Sequence, residues 1–373
     1  MTLYDEGLDL LRERQVAFAD RFIPYFYCSY VNHCFNLMNK QKRVYYEHGR
    51  IPDMRLQTLM VAPPGFSKSF LMHQCFDVDI GILWTRTIET VFQGSCTEAG
   101  WVGTYSKDGG VTVKHPGLAE EFAKGIVAID EFTAITNALQ QQHSLTFEPH
   151  LNSSLYGGHV HKRLASGDIN YDTNVTLIGG TQVTKFDISG GLGRRFTYIF
   201  WIPSPQEIKI LCNAVWDGVN VSADKTALGE YRLKLEQFQR DIEGIETLTF
   251  SKELREFLSN RPHFEQQIFR KIALGYELFN MDSIPSSVEI GLDSRCARLL
   301  KESIEWRDDL LADAEASQVL QIMQMRGGVM DRRDLQAVLL RYSINWSQSS
   351  YIVEKLLSLR KIRYNKGGQL AVV

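Results

Sequence analysis

Eight consecutive residues, Ala62-Pro63-Pro64-Gly65-Phe66-Ser67-Lys68-Ser69, have the types needed to hold a chain of phosphates. Such a chain needs backbone N–H groups turned inward, a lysine to neutralise the outer phosphates and a hydroxyl for magnesium. Lys68 would reach the β- and γ-phosphates, Ser69 would hold the metal, and Phe70 would open a helix behind the loop. Ala62 and Ser67 stand where the general loop motif has glycine. Both are small, so the backbone can still curl, though less freely than with glycine. Further along, Gly125-Ile126-Val127-Ala128-Ile129-Asp130-Glu131 is an apolar run that ends in two acids. A single acid at a strand end is ordinary surface chemistry. Two acids downstream of a Lys-Ser pair fit a metal and water site instead. Asp130 would orient the magnesium shell, and Glu131 would polarise the water that attacks the γ-phosphate. The reaction this set implies is magnesium-dependent hydrolysis of ATP.

Two further groups follow in the order such a site needs. Thr176-Leu177-Ile178-Gly179-Gly180-Thr181-Gln182 is a strand pattern that ends in polar side chains. A polar group there can position the attacking water; Gln182 is the first choice and Thr181 the second. Gly190-Gly191-Leu192-Gly193-Arg194-Arg195-Phe196 then sets two arginines on a glycine-rich loop before a strand. Taken alone, such a pair reads as solvated surface. In this order Arg195 can also be offered to the γ-phosphate of a neighbouring subunit, which couples hydrolysis to assembly.

Positioning these groups requires an α/β core, a mainly parallel sheet with helices on both faces. Leu56–Val61, Ile126–Ile129, Thr176–Ile178 and Thr197–Ile202 read as its strands, and Phe70–Phe76 as the helix after the loop. Residues 1–50 have apolar residues near helical spacing and read as a helix pair packed on the core, which spans 51–205. Residues 206–312 read as a helical lid, with helices at Glu207–Val215, Ala227–Ile242, Lys252–Leu258, Phe264–Phe279 and Ser294–Leu311. Residues 313–373 give three helices, Ala316–Met325, Asp331–Leu340 and Ser347–Leu359, then a hairpin turning at Asn365-Lys366-Gly367-Gly368. That order is the order of a winged helix.

The net charge of −3 gives no global signal for nucleic acid, so any such contact must come from local patches. The six cysteines form no Cys-x-x-Cys pair, which argues against a zinc site or a disulfide framework and for a reducing compartment. Asn32, His33 and Asn36 interrupt the longest apolar stretch, so no membrane span is expected, and neither is a signal peptide at the acidic N-terminus. A cytoplasmic location in a prokaryotic or virus-infected cell is the expectation.

The sequence resembles the AAA+ ATPases, and within them the minichromosome maintenance (MCM) helicase branch. Ser67 before Lys68 is the MCM form of the loop, and Ile129-Asp130-Glu131-Phe132 is the MCM form of the acidic strand. Thr97-Glu98-Ala99-Gly100-Trp101-Val102-Gly103-Thr104-Tyr105 is similar to the stretch leading into the family's helix-2 insert, a pore-facing hairpin whose tip would be Lys107-Asp108-Gly109-Gly110. Gly157-Gly158-His159-Val160-His161-Lys162-Arg163 lies where the family has its pre-sensor-1 hairpin, whose lysine touches DNA. Gln182 lies at the sensor-1 asparagine and Arg195-Phe196 at the arginine finger. The likeness covers about residues 56–202 and is only architectural beyond them. The family's large N-terminal domain has no counterpart in 50 residues, and its lid arginine has no clear match. Arg270 is one candidate; a solvated helix face is the alternative. So trimmed a core would suit a plasmid, a virus or an integrated element.

The resemblance implies ATP and Mg2+ as cofactors, and a homo-oligomeric, hexameric ring on DNA. Lys107, Lys162 and Arg163 would hold phosphates in its pore, and Arg363 and Lys366 would lie on the wing of the C-terminal domain. Each of these can equally be an ordinary basic residue on a solvated hairpin. Three functions stay open. The first is a motor that translocates on or unwinds DNA in replication. The second is an ATP-switched initiator or helicase loader that docks through the winged helix. The third is a protein-remodelling ATPase, for which Tyr105 would be the pore aromatic.

Overall fold

The computed structural model describes every residue except 1, 64, 66, 133, 136–145, 183–191, 217–224, 342–345 and 359–360. The described residues form two compact units, one within residues 2–303 and one within 304–373.

The first unit is built on a five-stranded parallel sheet of β1 (Gln57–Val61), β2 (Thr90–Gln93), β3 (Ile126–Ile129), β4 (Thr176–Thr181) and β5 (Phe196–Phe200), in the order β2-β3-β4-β1-β5. Strands β1, β3 and β4 are buried along their whole length. That is what a sheet covered on both faces requires of its central members. The order has a functional consequence. β1 lies between β4 and β5, and β3 lies next to β4, so chain segments far apart in sequence end at one edge. The fold is α/β and compatible with a P-loop type of core. Edge strand β2 was not foreseen, because its four half-buried residues carry no pattern distinct from a loop.

Helices α1 (Leu3–Glu13) and α2 (Ala19–Lys42) are the expected N-terminal pair, but they belong to the same unit as the sheet. The polar residues that break the apolar run of α2 are the ones that tie it down. His33 bonds Thr176 through Nδ1 (2.8 Å) and the Lys124 carbonyl through Nε2 (3.1 Å). Asn32 donates to the carbonyls of Cys28 and Lys271 at 2.8 and 2.6 Å, and Asn36 accepts from the Met54 N–H at 2.8 Å. Buried polar groups without such partners would each cost on the order of 1–3 kcal/mol. The helix His263–Asn280 crosses α2 so closely that a Cβ on Gly275 would lie 2.6 Å from the Cys28 Cα.

The 206–303 stretch holds the expected helices with boundaries shifted by a few residues: Pro205–Trp216, Lys225–Glu243, Lys252–Leu258 and His263–Asn280. It also holds two unforeseen strands, Thr247–Phe250 and Ser287–Ile290, paired in parallel. The break expected between Leu311 and Ala316 does not exist. Ser294–Met325 is one helix, because Leu311-Ala312-Asp313-Ala314-Glu315-Ala316 contains neither glycine nor proline and is rich in strong helix formers.

In the second unit the last part of that helix joins Arg332–Arg341, Trp346–Ser358 and a three-stranded antiparallel sheet. Leu370–Val372 is the central strand, between Val329–Met330 and Ile362–Tyr364. Val319, Met323, Leu335, Leu339, Ile352 and Leu370 form part of its core. The turn falls at Asn365–Gly368 as expected, with the Asn365 side chain accepting from the Gly367 and Gln369 N–H groups at 2.9 and 3.0 Å.

Candidate active site

Two described residues of the loop after β1 have left-handed backbone. Gly65 has φ +83° and Ser67 has φ +53°. The second value places a non-glycine residue in the left-handed region, which costs a side chain on the order of 1–2 kcal/mol. Helix α3 (Lys68–Phe76) starts immediately behind it. Ala62 is buried, Pro63 and Phe70 are partly buried, and Gly65 is exposed; Pro64 and Phe66 lie outside the described residues.

Lys68 is 9% exposed, and its ammonium donates to the carbonyls of Ala62 and Pro63, each at 2.9 Å. Burial pushes its pKa down, and the negative charges of Glu131 and Asp130 offset part of that. The Ser69 hydroxyl donates directly to an Asp130 carboxylate oxygen. Two residues expected to share a magnesium ion are therefore in contact, although 61 positions separate them. The Asp130 N–H bonds the Gln93 carbonyl at 2.9 Å and the Glu131 N–H bonds the Gly94 carbonyl at 3.1 Å, which ties both acids to the end of β2. The Glu131 side chain is exposed. These residues fit a Mg2+ ion with a triphosphate: the donor set is a hydroxyl beside a carboxylate, with a lysine close by and a second acid facing solvent.

Thr181 ends β4 fully buried, and its carbonyl accepts from the Ala62 N–H at 3.2 Å. Gln182 is the next residue and partly exposed. Since β4 runs between β1 and β3, Gln182 leaves the sheet between the phosphate loop and the two acids. Of the two choices, this placement favours Gln182.

Arg195 is not part of this edge cluster. It lies in the short 3-10 turn Gly193–Arg195 with its guanidinium 4.7 Å from the Tyr156 ring centre. Tyr156 belongs to a π-helical turn, Ser153–Gly157, and its hydroxyl donates to the Arg195 carbonyl. A cavity of about 440 Å³ opens there, lined among others by Asp53, Tyr156, Arg194, Arg195, Arg270 and Lys271. Burial pushes the Lys271 ammonium down to about 8. Arg270 is not a solvated helix face: it pairs with Glu47 at 2.8 Å and lies 5.7 Å from the Phe250 ring centre. Tyr156 was missed in the sequence, where an aromatic after Leu155 reads simply as core.

Both expected hairpins are present. Gly103–Asp108 pairs with Val111–Pro116, with Gly109 and Gly110 at the tip and Lys107 exposed. His159–Leu164 pairs with Gly167–Asp172. They touch each other: the Tyr105 hydroxyl donates to the Asp168 carbonyl at 3.0 Å, and the Tyr171 hydroxyl donates to the Val102 carbonyl at 3.1 Å. Lys162 does not project freely. Its ammonium is 2.9 Å from Glu98, whose same oxygen also takes Thr146 (2.9 Å) and His150 (3.0 Å). Burial alone would raise the Glu98 pKa, but these donors more than offset it and hold the carboxyl below its usual range. Arg163 is well exposed, 3.6 Å from Asp168. In the second unit Arg363 and Lys366 are exposed.

No family model matches the chain, and no curated protein is similar to it. No described helix is long and apolar enough to cross a membrane.

Proposed function

We propose that the chain is a Mg2+-dependent ATPase of the AAA+ kind, resembling the MCM branch, that works on DNA as a homo-oligomeric ring. The observation that carries the ATPase reading is the meeting of Lys68, Ser69 and Asp130 at one edge of a parallel sheet ordered β2-β3-β4-β1-β5. The Lys68 ammonium is held on the Ala62 and Pro63 carbonyls at the loop, where it would meet the outer phosphates. When bound, Mg2+ would supply charge neutralisation for the phosphates. Ser69 and Asp130 are the residues that would hold it. Glu131 orients and deprotonates the attacking water, and Gln182 helps to fix that water.

The ring is supported by where Arg195 is found. It stands apart from its own chain's loop, braced by Tyr156, at a cavity that also holds Arg194 and Arg270. Several cations around one cavity suit the phosphates of a neighbouring copy, with Arg195 as the finger and Arg270 as the lid arginine that the resemblance implies. The two hairpins would supply DNA contacts through Lys107, Arg163 and, once released from Glu98, Lys162. The C-terminal unit would act as a winged helix, with Arg363 and Lys366 facing phosphate. The protein-remodelling reading loses support, since the hydroxyl of Tyr105 is committed to the second hairpin.

Purified protein should hydrolyse ATP, respond to added DNA, and unwind a forked duplex, and Lys68→Ala should abolish all three while the fold is retained. Site-specific duplex binding with ATP turnover but no strand displacement would move the assignment to a switch such as an initiator or loader. A protein that neither binds nor cleaves ATP would end it.

A further inference from the structure

Residues 47 and 263 are distant in sequence yet meet at one surface point outside the nucleotide chemistry. Glu47, His48 and His263 present ligand atoms that all lie within 4.8 Å of one another. The first two are held by a tight turn: the Glu47 N–H bonds the Arg50 carbonyl at 2.8 Å, and the Arg50 N–H returns to the Glu47 carbonyl at 3.0 Å. His48 takes φ +51° in that turn, a left-handed conformation that histidine adopts more readily than most residues with a side chain. The third ligand, His263, is the first residue of the long helix His263–Asn280, directly after Pro262.

We propose that Glu47, His48 and His263 bind a divalent cation of the zinc, cobalt or nickel kind. Two imidazoles and a carboxylate are the donor set such ions take, with water in the remaining position. Tetrahedral zinc with bonds of about 2.0–2.1 Å sets its ligand atoms roughly 3.3 Å apart. His263 Nε2 is already 3.8 Å from Glu47 Oε1, and both histidines are exposed, so rotation of their side chains closes the site. The competitor is Arg270, which holds the same Glu47 oxygen at 2.8 Å. A partly exposed ion pair weighs at most about fivefold in an equilibrium, less than three direct ligands to a dication. Metal binding therefore draws Glu47 away from Arg270, and Arg270 lines the cavity beside Arg195. The ion would also fasten the turn after α2 to the long helix. This site does not depend on the ATPase reading.

The test uses the full chain, freed of metal by a chelator and free of nucleotide. Titration with Co2+ should develop the visible absorption bands of a low-coordinate site, and calorimetry with Zn2+ should give one equivalent at about micromolar affinity. Losing even an outer partner of a metal site costs 10–100-fold, so His48→Ala and His263→Ala should each weaken binding by ~100-fold or more. Unchanged circular dichroism would show that both variants still fold. Absence of the Co2+ bands from native protein, or equal Zn2+ affinity in the double variant, would overturn the proposal.

Discussion

Under the proposed mechanism, Glu131 would separate binding from chemistry more cleanly than Lys68. Its side chain is exposed beside a buried lysine, and in the proposed mechanism it acts only on water. Glu131→Gln should therefore bind ATP with native affinity while turnover falls by ~10³-fold. Equilibrium binding of a fluorescent nucleotide alongside phosphate release measures both, and a parallel loss of affinity would show that Glu131 is a structural acid. His33 offers a second test at this scale, of the fold. Burial pushes its imidazole from 6.5 down to about 4. The unfolded chain takes up this proton below about pH 6.5, and the folded chain only below about pH 4. The contribution of a neutral His33 is thus full above the unfolded value and is lost as the pH falls through the window to about 4, at about 1.4 kcal/mol per pH unit. Urea unfolding at pH 7 and pH 5 should show that loss in native protein and a smaller one in His33→Gln. Much of the site was legible from residue types alone: Lys68, Ser69, Asp130 and Glu131 carry their chemistry in their names and order. The left-handed backbone at Ser67 was not, because a serine in place of glycine shows tolerance of a turn but not its angle.

Elements explain which basic residues are free to act. The two hairpins were readable because their turns and flanking alternation are local, within ten residues or so of chain. What Lys162 does was not readable, since Glu98 lies far away in sequence and meets it only once both elements have folded. The same holds for Tyr156 under Arg195, and for strands such as Thr247–Phe250 that are too short to show a period. The Glu98 carboxylate, held below its usual range, keeps its grip on Lys162 at neutral pH and lets go only under acid conditions, as the carboxyl protonates. Removing its charge should therefore release the lysine. Glu98→Gln should bind single-stranded DNA more tightly, with a salt slope steeper by about 0.7, which is one added phosphate contact. The native slope in the variant would mean that Lys162 serves only to tie its hairpin to the Glu98–Val102 helix, and Lys162→Ala should then leave affinity unchanged as well.

At the scale of the whole molecule, sequence reading placed the sheet and its edge cluster but not every helix boundary. It gave residues 1–50 as a helix pair packed on the core, and α2 is tied into the same unit as the sheet by His33, Asn32 and Asn36. It also broke the Ser294–Met325 helix in two, at the start of the segment read as a winged helix. The burial of α2 against the sheet unit is set by tertiary packing, which local spacing cannot report, whereas the unbroken helix follows from the strong helix formers between residues 311 and 316. The assembly is a further step up. If Arg195 completes the site of the next copy, the defects of Lys68→Ala and Arg195→Ala lie on opposite sides of an interface. Each variant alone should be inactive in ATP hydrolysis. Mixed in equal amounts and allowed to assemble, they should regain activity, because an interface pairing an intact Lys68 with an intact Arg195 forms by chance in about one case in four. Turnover near a quarter of native is then the expected ceiling for independent sites. Were Arg195 to act within its own chain, or on structure alone, no mixing ratio would restore activity, since each chain in the mixture would keep its own defect.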